Sequence, residues 1–184
     1  QCSFKQKEAA KTVDADCILI SIGRRANSQG LGLEEAGVAT DRGRILVDSD
    51  FRTNVPGIYA IGDVIPGIQL AHVATAQGSA LVEMLAKGAS HICLDVVPSC
   101  IYTDPEIATV GLSSDEATKA GYQVVSGKFP MAANGKTVIE GQDRGFIKLV
   151  VDADTDKVLG AQMFCQRATD MIGELALAIA NGLT

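Results

Sequence analysis

Gly62-Asp63, directly after the apolar run Ile58-Tyr59-Ala60-Ile61, is the pair in this sequence with the plainest capacity for chemistry. A short, nearly continuous apolar run between glycines suits a strand buried on both faces of a parallel sheet. Gly62 has no Cβ, so a backbone or a ligand can come close to it. Ligands of open α/β sheets collect outside the carboxyl ends of the strands, which makes Asp63 a candidate acceptor for a sugar or ribityl hydroxyl. A turn or capping residue is the other reading of Asp63. Further on, Val73, Ala76, Ala80, Leu81, Met84 and Leu85 recur at spacings of three and four, which predicts a helix from about Ala71 to Lys87 closed by Gly88. A helix beginning near Ala71 aims unpaired N–H groups and the positive end of its dipole at whatever lies beyond Asp63. His72, at that helix start, reads as a packed or capping residue rather than a proton carrier.

Other reactive types lead nowhere of their own. Cys2, Cys17, Cys93, Cys100 and Cys165 are an odd number with no close pair, and they read as small core hydrophobes in a reducing, cytoplasmic compartment. His72 and His91 are the only histidines, which argues against zinc. Asp152-Ala153-Asp154-Thr155-Asp156 imitates the start of a calcium loop, but Lys157 and Met163 stand where glycine and a bidentate glutamate are required, so calcium is rejected.

The elements that must carry these residues change character along the chain. Val13 to Gly23 reads as a turn and then a buried strand ending at a glycine. Leu31 to Ala36 predicts a helical turn or two ended by Gly37, and Arg44 to Val47 a short strand. Residues 89–97 form a linker ending at Pro98. Beyond it the pattern becomes antiparallel: Ile101-Tyr102 and Ile107 to Val110 around the turn Thr103-Asp104-Pro105, then Gln123 to Phe129, Gly145 to Val151 and Lys157 to Phe164, the last two forming a hairpin. Ser113 to Ala120 predicts a helix with a Ser113/Glu116 capping box and Gly121 as terminator. Thr169 is expected to cap a last helix whose apolar face is Ile172, Leu175, Ala176 and Ile179, with Gly182 at its end.

A chain of 184 residues, 47% hydrophobic and 21% charged, can bury a core. No apolar run approaches the ~18 residues a membrane span needs, and a net charge of −6 with 4% aromatic residues argues against a nucleic-acid surface.

Thr53 to Asp63, T-x-x-P-G-I-Y-A-I-G-D, followed by Leu70-Ala71-His72 and a small-residue helix, resembles the second FAD-contacting segment of the flavin-dependent pyridine nucleotide–disulfide oxidoreductases. Pro98-Ser99-Cys100-Ile101-Tyr102-Thr103-Asp104-Pro105-Glu106 resembles the opening of that family's interface domain, in its dihydrolipoamide dehydrogenase branch. Asp16, Gly23, Arg24 and Asn27 resemble the segment that closes its NAD domain, with Ala26 in place of a proline. The resemblance implies an α/β plus α+β chain: residues 1–26 the end of an NAD domain, 27–96 the second half of an FAD-binding Rossmann-like domain, 97–184 an interface domain. It implies Gly62 and Asp63 at the ribityl chain of FAD, the Ala71 N–H at the flavin, and Gly23 and Arg24 near NAD. It also implies a homodimer through residues from about 97 onward and a lipoyl domain of a 2-oxoacid dehydrogenase-type complex as partner. The activity implied is reoxidation of dihydrolipoyl groups, electrons passing from dithiol to disulfide to FAD to NAD.

Several family parts are not found in these residues: the two cysteines four residues apart, the glycine-rich FAD and NAD turns, and the His-Pro segment with its glutamate. Gln1 is no translation start and Cys2 to Lys7 begin as if in mid-strand, so a fragment inactive by itself is expected. Two alternatives stay open: a stand-alone dimerisation module without chemistry, and a relative acting on mercuric ion, glutathione disulfide or a related disulfide.

Overall fold

A computed structural model describes residues 1–184. Its largest unit is a five-stranded antiparallel sheet over the second half of the chain, in the order β5-β6-β9-β8-β7. The strands are β5 (Ser99–Ile101), β6 (Glu106–Gly111), β7 (Val124–Pro130), β8 (Phe146–Asp152) and β9 (Val158–Cys165). Alternation fixes which face is dry. Ala108 and Val110 of β6 and Ala161, Met163 and Cys165 of β9 point to one side; a short helix α3 (Gly135–Ile139) lies between β7 and β8, and helix α4 (Ala168–Ala180) lays Ala168 and Ile172 on the apolar side. The β8–β9 turn is held by Asp152, whose carboxylate accepts from the Thr155 hydroxyl at 2.6 Å and the Asp154 N–H at 3.4 Å.

The first half is more open. A hairpin of β1 (Cys2–Gln6) and β2 (Ala9–Val13) is exposed along its length, and β3 (Thr40–Asp41) pairs with β4 (Arg44–Ile45) across a tight turn. Val38, Ile45, Ala60 and Ile65 make a second, small core. Helix α1 (Ala71–Lys87) packs Val73 and Ala80 inward, and Gly88 closes it at φ 80 with its N–H on the Met84 carbonyl at 2.8 Å. Residues 32–38 form a single helical turn: Ala36 N–H donates to Gly32 at 3.0 Å, and Gly37 ends it at φ 71. No helix is long and apolar enough to cross a membrane.

Two expected parallel strands do not form. Ile18 to Ile22 forms no strand, with Leu19 90% and Ile22 93% exposed. Ile58 to Ile61 makes only the isolated bridge of Tyr59 to Arg52. A strand in a parallel sheet takes its hydrogen bonds from strands distant in sequence; Ile58 to Ile61 pairs only with the adjacent residues 51–53, antiparallel, and Ile18 to Ile22 with no named strand. The parallel sheet of the α/β portion is therefore not formed within this chain.

The last helix also differs from expectation. Thr169 is not its cap; Arg167, at φ 61, precedes the first helical residue and gives no side-chain cap to the backbone, its Nε donating instead to Asp170 Oδ2 at 3.1 Å. The orphan first-turn amides are served from across the sheet, where Glu106 Oε2 accepts from Thr169 N–H at 2.9 Å and from its hydroxyl at 2.7 Å. A carboxylate at a helix N-terminus satisfies both the donors and the dipole. The cap could not be read locally because its acceptor lies 63 positions away.

Helix α2 (Ser114–Lys119) has the expected capping box: Ser113 Oγ accepts from Glu116 N–H at 3.3 Å and Glu116 Oε2 from Ser113 N–H at 2.8 Å. Ser113's hydroxyl, and then its backbone N–H, hold the Glu116 carboxyl below its ordinary value of 4.5. A lowered pKa in the folded state means that this contribution is present above pH 4.5 and fades as pH falls through the folded value. Ser113→Ala is expected to cost about 1 kcal/mol, read as a lower denaturation midpoint at neutral pH. The gap from the parent should narrow in acid, where Glu116 is protonated; a gap independent of pH would remove Glu116 from the box.

Candidate functional site

The site is built on a sharp turn. The segment 48–61 folds back on itself: Thr53 N–H donates to Ile58 O at 3.0 Å, its buried hydroxyl donates to the same carbonyl at 2.9 Å, and Ala60 N–H donates to Phe51 O at 3.1 Å. This delivers the chain to a single 3-10 turn, Gly62–Val64. Gly62 sits at φ 73 against α1, where a Cβ would meet that of Ala74 at 3.1 Å, so only glycine suits both the backbone and the approach. Its N–H donates to Gln77 Oε1 at 2.7 Å, and Gln69 Nε2 donates to the Asp63 carbonyl at 3.3 Å.

The Asp63 side chain is thereby presented, half-exposed, beside the start of α1. It pairs with Arg24 Nη1 at 3.4 Å. With Arg24 71% and Asp63 46% exposed, this pair adds little stability, and the Asp63 carboxylate remains within reach of a ligand hydroxyl. Leu70 gives α1 no side-chain cap and the first turn contains no acid. The N–H groups of Ala71, His72 and Val73 therefore have no partner in the chain and point outward from the positive helix end. His72 Nε2 lies 3.0 Å from the Pro98 carbonyl, to which its N–H donates, tying the helix start to the residue before β5.

Of the expected site residues, the structure brings Gly62, Asp63, Ala71 and Arg24 to one locality; Gly23, at φ 107, is placed by its bond to Arg24. Gln77 and Gln69 had no role in the sequence reading. Gln77 could have been found, since it stands between Val73 and Ala80 at helical spacings of four and three, and a polar side chain in such a row must find a partner. The cysteines need correction: Cys2, Cys17 and Cys93 are exposed, Cys100 is half-buried, and only Cys165 is in the core. The hairpin and the unpaired segment that carry Cys2 and Cys17 pack against nothing. Burial first and the Glu106 charge second push the Cys100 and Cys165 thiols up, so both stay protonated.

The chain belongs to the pyridine nucleotide–disulphide oxidoreductase family: its general profile matches residues 3–78 and its dimerisation-domain profile residues 97–184. Within it, the chain is 44% identical over 183 residues to a dihydrolipoyl dehydrogenase of Bacillus subtilis, covering 99% of this chain and 39% of that protein. It is 45% identical over 177 residues to the one from Chlorobaculum tepidum, covering 96% of this chain and 38% of that protein. Among solved structures, it superposes on the HOCl-induced flavoprotein disulfide reductase RclA of Escherichia coli with a TM-score of 0.85 at 28% identity, covering 98% of this chain and 42% of that one. LpdA of Mycobacterium tuberculosis gives 0.81 at 32% identity, with 90% and 37% covered. The chain thus spans about two fifths of the length of these relatives.

Proposed function

We propose that these residues are the flavin-adjoining and dimerisation parts of a flavoprotein that reoxidises dihydrolipoyl groups with FAD and NAD, and that they are inactive by themselves. The observation that carries the reading is Gly62-Asp63 held against the open first turn of α1. The residues fit FAD. A backbone approach that a Cβ would obstruct, a reachable carboxylate and three unpartnered N–H groups match a ligand with a hydroxylated chain and an electron-rich ring edge. Asp63 accepts from ribityl hydroxyls, Gly62 gives clearance, and the Ala71 N–H donates to the ring edge. FAD supplies two-electron redox chemistry when bound; the chain's own share is to orient it and to meet negative charge with a helix dipole. Gly23 and Arg24 adjoin the nicotinamide side.

In this reading residues 1–26 end an NAD domain, 27–96 complete an FAD domain, and 97–184 are the interface domain of a cytoplasmic homodimer. Exposed apolar side chains such as Ile101 (51%), Ile139 (85%) and Leu177 (63%) support a partner surface in that last part. The whole protein's partner is a lipoyl domain, with no nucleic acid and no membrane. What favours dihydrolipoyl groups over glutathione disulfide or mercuric ion is the identity of 40–48% to dihydrolipoyl dehydrogenases, against 28% to the disulfide reductase.

The test is steady-state turnover by the intact flavoprotein carrying these residues. NAD reduction by dihydrolipoamide, at a rate well above any reduction of glutathione disulfide or mercuric ion by NADH or NADPH, is expected. Preference for either of those acceptors would replace this substrate with the alternative, and a preparation with no flavin and no turnover would leave only a dimerisation module.

A further inference from the structure

One polar side chain of α1 is turned inward. Gln77 is half-buried in the second turn of the helix, and its Oε1 accepts from the Gly62 N–H at 2.7 Å. Gly62 is buried and opens its 3-10 turn, so no carbonyl of that turn serves its N–H. Without the glutamine the donor would be orphaned in the interior.

The neighbours of Gln77 on α1 suit the same close approach. Ala74, one turn nearer the helix start, is the residue whose Cβ would stand 3.1 Å from one on Gly62, and a Cβ on Gly78 would lie 3.3 Å from Ile61 Cδ1. Ala71, Ala74 and Gly78 follow spacings of three and four, so they share one side of the helix, with Gln77 beside them. That side holds the turn at its lower end and carries the Ala71 N–H at its upper end. A second glutamine closes the turn from the other direction, where Gln69 Nε2 donates to the Asp63 carbonyl at 3.3 Å. The Gly62-Asp63 pair is thus held at its N–H by the helix and at its carbonyl by the loop leading into the helix.

Distance decides what kind of role this is. Six residues at 1.5 Å each put Gln77 about 9 Å along the axis from Ala71, and its oxygen is committed to Gly62. Gln77 acts through the turn, not on a ligand beyond the helix end.

We propose that Gln77 is a positioning residue for the flavin site: its bond to Gly62 fixes the Asp63 carboxylate in register with the Ala71 N–H, so that one ligand meets both. The proposal rests on the flavin reading above. A glycine can take many backbone angles, and Gly62 is held at one of them, φ 73. A short bond to a helix removes that freedom before a ligand arrives, and a turn ordered beforehand need not be ordered on binding.

The experiment is titration of the flavin-free form of the intact flavoprotein with FAD, followed by quenching of flavin fluorescence. Gln77→Met keeps the length and the helix preference of the side chain but removes the oxygen, and should raise the dissociation constant about tenfold. Gln77→Asn draws the amide back by one methylene and should do the same. Gln77→Glu returns an acceptor to the same place and should bind FAD close to the parent. The deciding measurement is the double variant. In an Asp63→Ala background Gln77→Met should add less than about twofold, because the carboxylate it positions is gone. Circular dichroism checks that each variant folds. Equal losses with and without Asp63, as a merely structural role would give, overturn the proposal. FAD affinity unchanged by Asp63→Ala overturns the flavin reading and this proposal with it, whereas affinity weakened by Asp63→Ala and unchanged by both Gln77→Met and Gln77→Asn overturns only the role of Gln77.

Discussion

Gly145→Ala is expected to unfold the antiparallel sheet or to cost on the order of 3–5 kcal/mol, a large share of a domain's total stability. Gly145 enters β8 at φ 123, a region closed to side chains, and a Cβ there would land on the Phe164 carbonyl oxygen and within 2.8 Å of its carbon. Neither atom can yield. Phe164 lies in β9 between Ile107 of β6 and Phe146 of β8, so moving it disturbs three strands. Gly145 also accepts from Met131 N–H at 3.0 Å, and Met131 is in the main core. Two controls separate backbone strain from collision. Gly141 has φ 66 and open space around its Cβ position, so Gly141→Ala should cost about 1 kcal/mol. Gly127 has an ordinary φ and open space, so Gly127→Ala should be near neutral or slightly stabilising. Denaturation midpoints of the three variants should fall in that order, and a Gly145→Ala protein as stable as Gly127→Ala would mean that β8 enters the sheet by another path.

Asp63→Ala in the intact flavoprotein should weaken FAD retention by about 10- to 100-fold, the worth of one or two charge-assisted hydrogen bonds at roughly 1.5–3 kcal/mol. The fold should survive. Asp63 is half-exposed, and its only side-chain partner is the exposed Arg24, a kind of pair worth 0–1 kcal/mol. Flavin absorbance per polypeptide after gel filtration gives the answer, with circular dichroism as the check on folding. Arg24→Gln is the informative comparison. It frees Asp63 without removing it, so flavin retention should be kept while the nicotinamide KM rises. Flavin content unchanged by Asp63→Ala would remove Asp63 from the cofactor site and leave it as a turn residue.

Much of the second half of the chain was legible because its signals are local. The capping box of Ser113 and Glu116 spans three residues, the β8–β9 turn spans Asp152 to Asp156, and alternation along β6, β8 and β9 shows in single strands. Helix α1 was read to its ends from the spacing of its apolar residues and from Gly88. The site was legible in part. Gly62, Asp63 and Ala71 stand in one short stretch, whereas the contact of Arg24 with Asp63 joins positions 39 apart and follows from folding. Readings failed where the deciding partner is remote. Ile18 to Ile22 has the composition of a buried strand, but composition does not supply the neighbours that would cover it.

The sequence by itself determined helices α1 and α2 and their ends, the antiparallel strands beyond Pro98, and that a glycine–aspartate turn precedes a helix with an open N-terminus. These depend on interactions within a few residues: backbone freedom, capping and side-chain period. Tertiary structure alone decided that Glu106 caps α4, that Gln77 fixes Gly62, and that His72 ties α1 to Pro98. Each of these joins residues 15 or more positions apart. Such pairs have no signature in local sequence, because what selects them is the burial and charge balance of the folded chain.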